Sequence, residues 1–206
     1  MTDSISGSKA TNYNIVQPTV TGTINKATLT VAANNQSMTY GGTLPTLTET
    51  VTGYVNGETS SVIGGTPTAT TSASSTTNAG TATITSSVSG LTATNYNFVT
   101  GSNAILTINK ANLTITANST SKTYGQTLTF AGSEFGTSGL VNSDSVTSVT
   151  LTSAGAAATA TVAGSPYTIT PSAAVGNGLS NYTIGYSNGT LTVNKATLTV
   201  TANNQS

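Results

Sequence analysis

The chain has 206 residues, with five lysines, no arginine and five acidic residues, for a net charge of zero. So few cations cannot neutralise a run of phosphates, which excludes nucleic acid as a partner. With no Cys and no His there is no disulfide staple, no thiolate nucleophile, no Cys-ligated metal and no imidazole base.

Thr (47), Ser (26), Asn (20) and Gly (21) make up more than half the chain, and Leu, Ile, Val and Phe together number 40. That apolar share is close to the level of disordered chains, but the high net charge of disorder is missing and the apolar residues are regularly spaced. The reading is a folded, mainly β chain with thin cores and Thr-rich faces. No apolar run approaches the ~20 residues of a membrane span. Met1-Thr2-Asp3 lacks the basic and apolar regions of a secretory leader.

In chain order, 29–33 predicts a strand and Tyr40-Gly41-Gly42 a turn, since Gly takes positive φ without steric cost. A strand follows over 48–55. Residues 56–63 predict a short helical turn, with Asn56 as its N-cap and Val62 and Ile63 as its apolar side. Residues 142–149 predict its counterpart. Strands are then expected over 66–72, 81–87, 96–100 and 104–109. No stretch has the periodicity of a long helix.

The second half repeats the first. Asn25-Lys26-Ala27-Thr28-Leu29-Thr30-Val31 returns as Asn109-Lys110-Ala111-Asn112-Leu113-Thr114-Ile115 and again from Asn194, the lysines lying 84 and 85 residues apart. Tyr40-Gly41 returns as Tyr124-Gly125, Val55-Asn56-Gly57-Glu58 as Val141-Asn142-Ser143-Asp144, and Asn95-Tyr96 as Asn181-Tyr182. The expected organisation is the tail of a preceding repeat over 1–25, complete repeats over 26–109 and 110–194, and the first strand of a following repeat over 195–206. That last segment matches 26–37 at 11 of 12 positions. The chain reads as part of a longer array.

No linker separates the repeats. Apolar residues at 106 and 108 give way to apolar residues at 111, 113 and 115, so the alternation slips by one position at Asn109-Lys110. Side chains alternate faces along a strand, and a one-residue slip therefore changes the buried face. One repeat's last strand is expected to become the next repeat's first, with the first and last strands of a repeat parallel and the repeats stacked into a rod.

Lys-Ala-x-Leu-Thr-(Ile/Val) opening each repeat, Tyr-Gly after a short gap, Val-Asn-(Gly/Ser)-(Glu/Asp), Asn-Tyr, and a closing Leu-Thr-(Ile/Val)-Asn-Lys form a pattern that resembles the YGX-type MBG repeat. That family is a bacterial immunoglobulin-like or β-grasp-like module found in tandem in very large surface adhesins of the filamentous-haemagglutinin and autotransporter kinds. The chain departs from strict repetition at Gly22, which stands where Leu106 and Leu191 do, and at Thr129-Phe130, which replaces Pro45-Thr46. The resemblance implies export to the cell surface and a role in attachment or biofilm formation. It implies no catalytic residues.

Each repeat carries one junction lysine and two acids: Lys26, Glu49 and Glu58, then Lys110, Glu134 and Asp144. A Lys–Asn isopeptide cross-link assisted by an acid would need lysine, asparagine and acid buried together. Solvated charges worth ~0–1 kcal/mol each are the plainer reading. Two carboxylates per repeat are too sparse for calcium, which takes six to eight oxygens, and without His or a wide loop no glycosidase pair is expected. Tyr40, Tyr124, Tyr96 and Tyr182 recur with the repeat, which suits core residues whose hydroxyls reach the backbone better than sugar-stacking platforms.

The expectation is therefore a mainly β, elongated tandem array of two small β-sandwich repeats, Ig-like or alternatively β-grasp-like, with at most a short helical turn each. It should be a monomer and not an enzyme, with no catalytic, cofactor or metal site and with neighbouring repeats of the same chain as its contacts. The expected function is an extracellular adhesin stalk that displays a distal binding domain. The alternative is direct binding of host or matrix glycans or mucin by each repeat.

Overall fold

The computed structural model describes residues 9–14 and 16–203. Residues 1–8 and 15 of the expected tail and 204–206 of the last expected strand lie outside the described residues.

The first unit contains β1 (Ala27–Ala33), β2 (Gln36–Thr39), β3 (Glu49–Thr52), β4 (Thr68–Thr70), β5 (Gly80–Ser87), β6 (Tyr96–Thr100) and β7 (Ala104–Asn109). The second contains β8 (Ala111–Ala117), β9 (Thr120–Thr123), β10 (Phe135–Ser138), β11 (Ser145–Thr152), β12 (Tyr167–Asn177), β13 (Tyr182–Ser187) and β14 (Gly189–Asn194). Each unit is two sheets. The three-stranded sheets have the orders β3-β1-β6 and β10-β8-β13, and the four-stranded sheets β2-β7-β5-β4 and β9-β14-β12-β11. These orders are the same under the repeat, so tandem β repeats are what the chain forms. Among the described residues, the helical elements are three-residue 3-10 turns.

Two chain paths run side by side through each unit. Ala27 pairs in parallel with Tyr96 along β1 and β6, and Gln36 pairs in parallel with Leu106 along β2 and β7. Both paths cross from the three-stranded to the four-stranded sheet partway along, one at Asn34-Asn35 and the other over 101–103. The opening and closing strands are thus parallel, as the phase argument required. Leu29 and Val31 from one sheet, and Ile84, Leu106 and Ile108 from the other, are buried. The Ser86 hydroxyl donates to the Val31 carbonyl (2.8 Å) and ties the two sheets together.

At the junction Leu106 and Ile108 are buried, Asn109 and Lys110 are both exposed, and Ala111, Leu113 and Ile115 are buried again. The slip in the alternation is a change of face in a strand path interrupted only at Lys110. One apolar cluster runs through it, from Met38, Ile84, Leu106 and Ile108 to Leu113, Ile115, Ile169 and Leu191.

Three local expectations need correction. The helical turn of 56–63 shrinks to Ser60–Val62, and Asn56 does not cap it: Asn56 sits at φ 54° in a left-handed turn. Its expected counterpart over 142–149 is not helical. After a turn at Asn142 and Ser143 the chain enters β11, because Val149 and Leu151 alternate as buried positions and the strand pairs with β12, with register irregularities between Val146 and Thr150. Strand β2 was not expected, since Gln-Ser-Met-Thr has no β pattern and its extended form is imposed by parallel pairing with β7.

Residues 195–203 copy β1 in sequence yet form no strand, and Leu198 and Val200 are 87% and 86% exposed, whereas Leu113 and Ile115 are 1% and 0% exposed. Ile24, the counterpart of buried Ile108, is likewise exposed. An isolated extended segment has no partner strand to hydrogen-bond, and the alternation alone does not make it a strand.

Candidate functional site

The most elaborate arrangement of polar side chains lies where the two units meet. One half is the Tyr40-Gly41 turn at the end of β2. Its anchor is the Tyr40 N–H, which donates to the Asn109 carbonyl at the end of β7 (2.8 Å), one residue before the junction lysine. The turn closes with Gly42 N–H donating to the Thr39 carbonyl (2.8 Å). Gly41 has φ +78°, and a Cβ there would lie 2.3 Å from Cγ2 of Val141 in the second unit. Glycine is needed both for the conformation and for the approach of the neighbouring repeat.

The other half is the Val141-Asn142-Ser143-Asp144 turn. Asn142 and Ser143 have φ 55° and 63°, and the Asp144 N–H donates to the Val141 carbonyl (3.0 Å). The turn is braced from β13: the Val141 N–H donates to the Tyr182 hydroxyl (2.9 Å), which in turn donates to Asp144 Oδ2 (2.8 Å). Across the joint the Tyr40 hydroxyl donates to the same Oδ2 (2.9 Å), and the two rings meet edge to face with centroids 5.7 Å apart. One carboxylate oxygen thus holds two tyrosines from different repeats, as a charged acceptor can. Around this centre Asn142 Nδ2 donates to the Ser75 carbonyl (2.9 Å), Asn181 Nδ2 to Asn78 Oδ1 (3.1 Å), and the Ala79 N–H to Asn181 Oδ1 (2.9 Å). Asn181 is only 4% exposed, with its amide spent on the other unit. Burial raises the Tyr182 pKa first of all, the Val141 N–H opposes it, and the neighbouring Asp144 carboxylate raises it further.

The first unit has the same receiving turn at its own far end. Asn56 and Gly57 have φ 54° and 72°, the Glu58 N–H donates to the Val55 carbonyl (3.0 Å), and the Val55 N–H donates to the Tyr96 hydroxyl (3.1 Å). Tyr96 in turn donates to Glu58 Oε2. That bond to Glu58 is the main reason the Tyr96 pKa is raised.

The sequence singled out Lys26 and Lys110 with their acids. Lys26 is exposed, its ammonium on the Ala93 carbonyl (3.2 Å), and Lys110 is exposed. Neither is buried with an asparagine and an acid as a cross-link requires. Glu49 opens β3, opposite Ala33. Glu134 folds back on its own turn, accepting from the N–H groups of Ala131 (2.8 Å), Gly132 (2.9 Å) and Ser133 (3.1 Å). Those bonds, Ala131's first, hold its carboxyl below the usual range. Glu58 and Asp144 are the acids the fold uses at repeat ends. Of the recurrent tyrosines, Tyr40, Tyr96 and Tyr182 are buried and Tyr124 is about half exposed.

One polar residue was missed. Lys122 is 6% exposed, and its ammonium donates to the carbonyls of Gln126 (2.8 Å), Ala156 (3.3 Å) and Ala157. Its counterpart in the first unit is Met38, also buried. Alignment of the repeats puts a lysine in the place of a buried methionine, and that mismatch was the available signal.

Two units of identical strand order, joined without a linker and locked by side chains at their ends, define a tandem repeat module. The profile of the MBG domain (YGX type) matches residues 29–107 and again 113–192, and the chain belongs to this family. No curated protein and no solved structure matches it.

Proposed function

We propose that the chain is a non-enzymatic stalk segment of an extracellular bacterial surface adhesin, holding a binding domain away from the cell in attachment or biofilm formation. The observation that carries this reading is the joint. A strand path passes from one repeat to the next with one residue between β7 and β8, and the Tyr40–Asp144–Tyr182 cluster clamps the same crossing from the side. A spacer needs stiffness at its joints, because flexible links shorten reach with the square root of length. Membership of the MBG family supports the same reading through the adhesins in which such repeats occur. Burial of Tyr40, Tyr96 and Tyr182 leaves few ring faces for sugar stacking, which weighs against glycan binding by each repeat.

Small-angle scattering tests it. A compact globule of this length has a radius of gyration near ~17 Å, whereas two repeats end to end, each about a ten-residue strand with its turns, give roughly 25–30 Å at ~3.3 Å per residue. The extended value is expected. A value near the compact one overturns the stalk reading.

A further inference from the structure

The joint between the units is assembled from two complementary pieces, and each piece occurs a second time with no complementary turn against it among the described residues. The receiving turn of the first unit, Val55-Asn56-Gly57-Glu58 with Tyr96, has the backbone conformation and the hydroxyl–carboxylate bond of its occupied counterpart. Asn95 is exposed where Asn181 is buried, and Val55 is 46% exposed where Val141 is half-buried. A cleft of about 590 Å³ opens there, walled on one side by Val55, Asn56, Glu58 and Asn95 and on the other by the entering segment 24–27. At the opposite end of the molecule the Tyr124-Gly125 turn has the conformation of Tyr40-Gly41. The Tyr124 N–H donates to the Asn194 carbonyl (2.9 Å), and Gly125 has φ +89° with open space where Gly41 meets Val141. Tyr124 is 49% exposed, Tyr40 5%.

We propose that the Val55–Glu58 turn with Asn95 and Tyr96 is a docking socket for the Tyr-Gly turn of another repeat of this kind, and that Tyr124-Gly125 of a second copy of the chain occupies it end to end. The occupant follows from the joint already formed within the chain. Tyr124 donates its hydroxyl to the Glu58 carboxylate beside the Tyr96 ring, as Tyr40 does to Asp144 beside Tyr182, and the Asn95 amide takes up loop backbone as Asn181 does. The socket is preformed, because the Tyr96 hydroxyl already positions both Val55 and Glu58. The contact is heterologous, plug of one copy into socket of the next, so it propagates in a line rather than closing into a dimer. It holds whether or not the array serves adhesion.

The test separates socket from plug. A 15N-labelled Tyr124→Ala chain keeps its socket and loses its plug. Unlabelled chain is added up to about 2 mM, the range in which so small an interface binds. The amide signals of Val55, Asn56, Glu58, Asn95 and Tyr96 are expected to shift progressively. Unlabelled Tyr124→Phe, which keeps the ring and lacks the donor, should need several-fold higher concentration, and unlabelled Tyr124→Ala should move none of them. Melting curves of the variants should overlay the parent's, since Tyr124 is half exposed. Socket signals that stay fixed at 2 mM, or that move equally with Tyr124→Ala, overturn the proposal.

Discussion

Tyr40 and Asp144, 104 residues apart in the chain, meet across the repeat joint with hydroxyl and carboxylate oxygens 2.9 Å apart. Because Asp144 also accepts from Tyr182, removing the carboxylate takes the acceptor from two hydroxyls at once, of which Tyr182 can still donate to the Val141 carbonyl (3.2 Å). Asp144→Ala should cost about 2–4 kcal/mol, from two lost charge-assisted bonds and one hydroxyl, that of Tyr40, left without its acceptor. Asp144→Asn, which still accepts through its amide oxygen, should cost about half as much. Urea titration measures both. Equal costs for Ala and Asn would mean that a neutral acceptor cannot replace the carboxylate, and an Asn cost near zero that the charge contributes nothing.

The two Tyr-Gly turns give a matched pair of substitutions. Gly41 and Gly125 have similar positive φ, but only Gly41 faces the other unit. Gly125→Ala should cost about 1–2 kcal/mol, the strain of a left-handed alanine. Gly41→Ala carries that strain and also drives a Cβ against Val141, so a further loss of about 1–3 kcal/mol is expected. Radius of gyration should rise or broaden for Gly41→Ala alone. Equal behaviour of the two variants would show that the joint yields without cost.

The face switch at Asn109-Lys110 was legible because it is written in apolar spacing alone: Leu106 and Ile108 against Leu113 and Ile115 report burial whatever the partner strands are. The strands expected over 81–87, 96–100 and 104–109 were legible for the same reason. Strand β2 was not, because Gln36–Thr39 owes its conformation to β7, some 70 residues on. The joint was half legible. Tyr40, Tyr182 and Asp144 stood out by recurrence, but recurrence does not say that the tyrosine of one repeat meets the acid of the next. Asn56 looked like an N-cap because asparagine favours both caps and left-handed turns, and only the chain's path distinguishes them.

Alkaline pH should weaken the fold. Tyr182 and Tyr96 both titrate above the ordinary 10.0 in the folded chain, so the native state holds protons that the unfolded chain releases. Their contribution is complete below about pH 10 and falls as pH rises through the folded values. Stability should be flat from neutrality to about pH 10 and then decline. Tyr182→Phe should flatten that decline while lowering stability at neutral pH by about 1 kcal/mol. An unchanged alkaline limb would place the titration elsewhere.

Acid should act through Glu134. Its carboxyl titrates below the usual value because three backbone N–H groups point at it. The stabilisation is present above the unfolded value of about 4.5 and is lost as pH falls through the lower folded value. Glu134→Gln, an amide with a weaker acceptor, should lower stability at neutral pH, and the difference between parent and variant should shrink as pH falls below the unfolded value. A difference that stays constant down the whole acid limb would contradict this account.

Lys122 offers a reciprocal exchange between the repeats. In the second unit its ammonium satisfies the carbonyls of Gln126, Ala156 and Ala157 at a site 6% exposed. In the first unit Met38 fills the equivalent position as part of the apolar cluster. The two side chains are similar in length, so Lys122→Met leaves little cavity. What it removes is the donor: the Gln126 carbonyl loses its ammonium partner, and the Ala156 and Ala157 carbonyls keep only the backbone N–H groups of Leu128 and Ala160. A loss of about 2–3 kcal/mol is expected, with hydrogen exchange accelerating first over residues 153–165. Met38→Lys runs the other way, placing a charge among apolar neighbours. It should cost more, about 3–5 kcal/mol, because an unpaired buried charge is not repaid by packing. If Lys122→Met were instead neutral, the Gln126 carbonyl would have to find water or another donor. The lysine would then be an ordinary chain stem buried for its methylenes, and exchange over 153–165 would stay at the parent's rate.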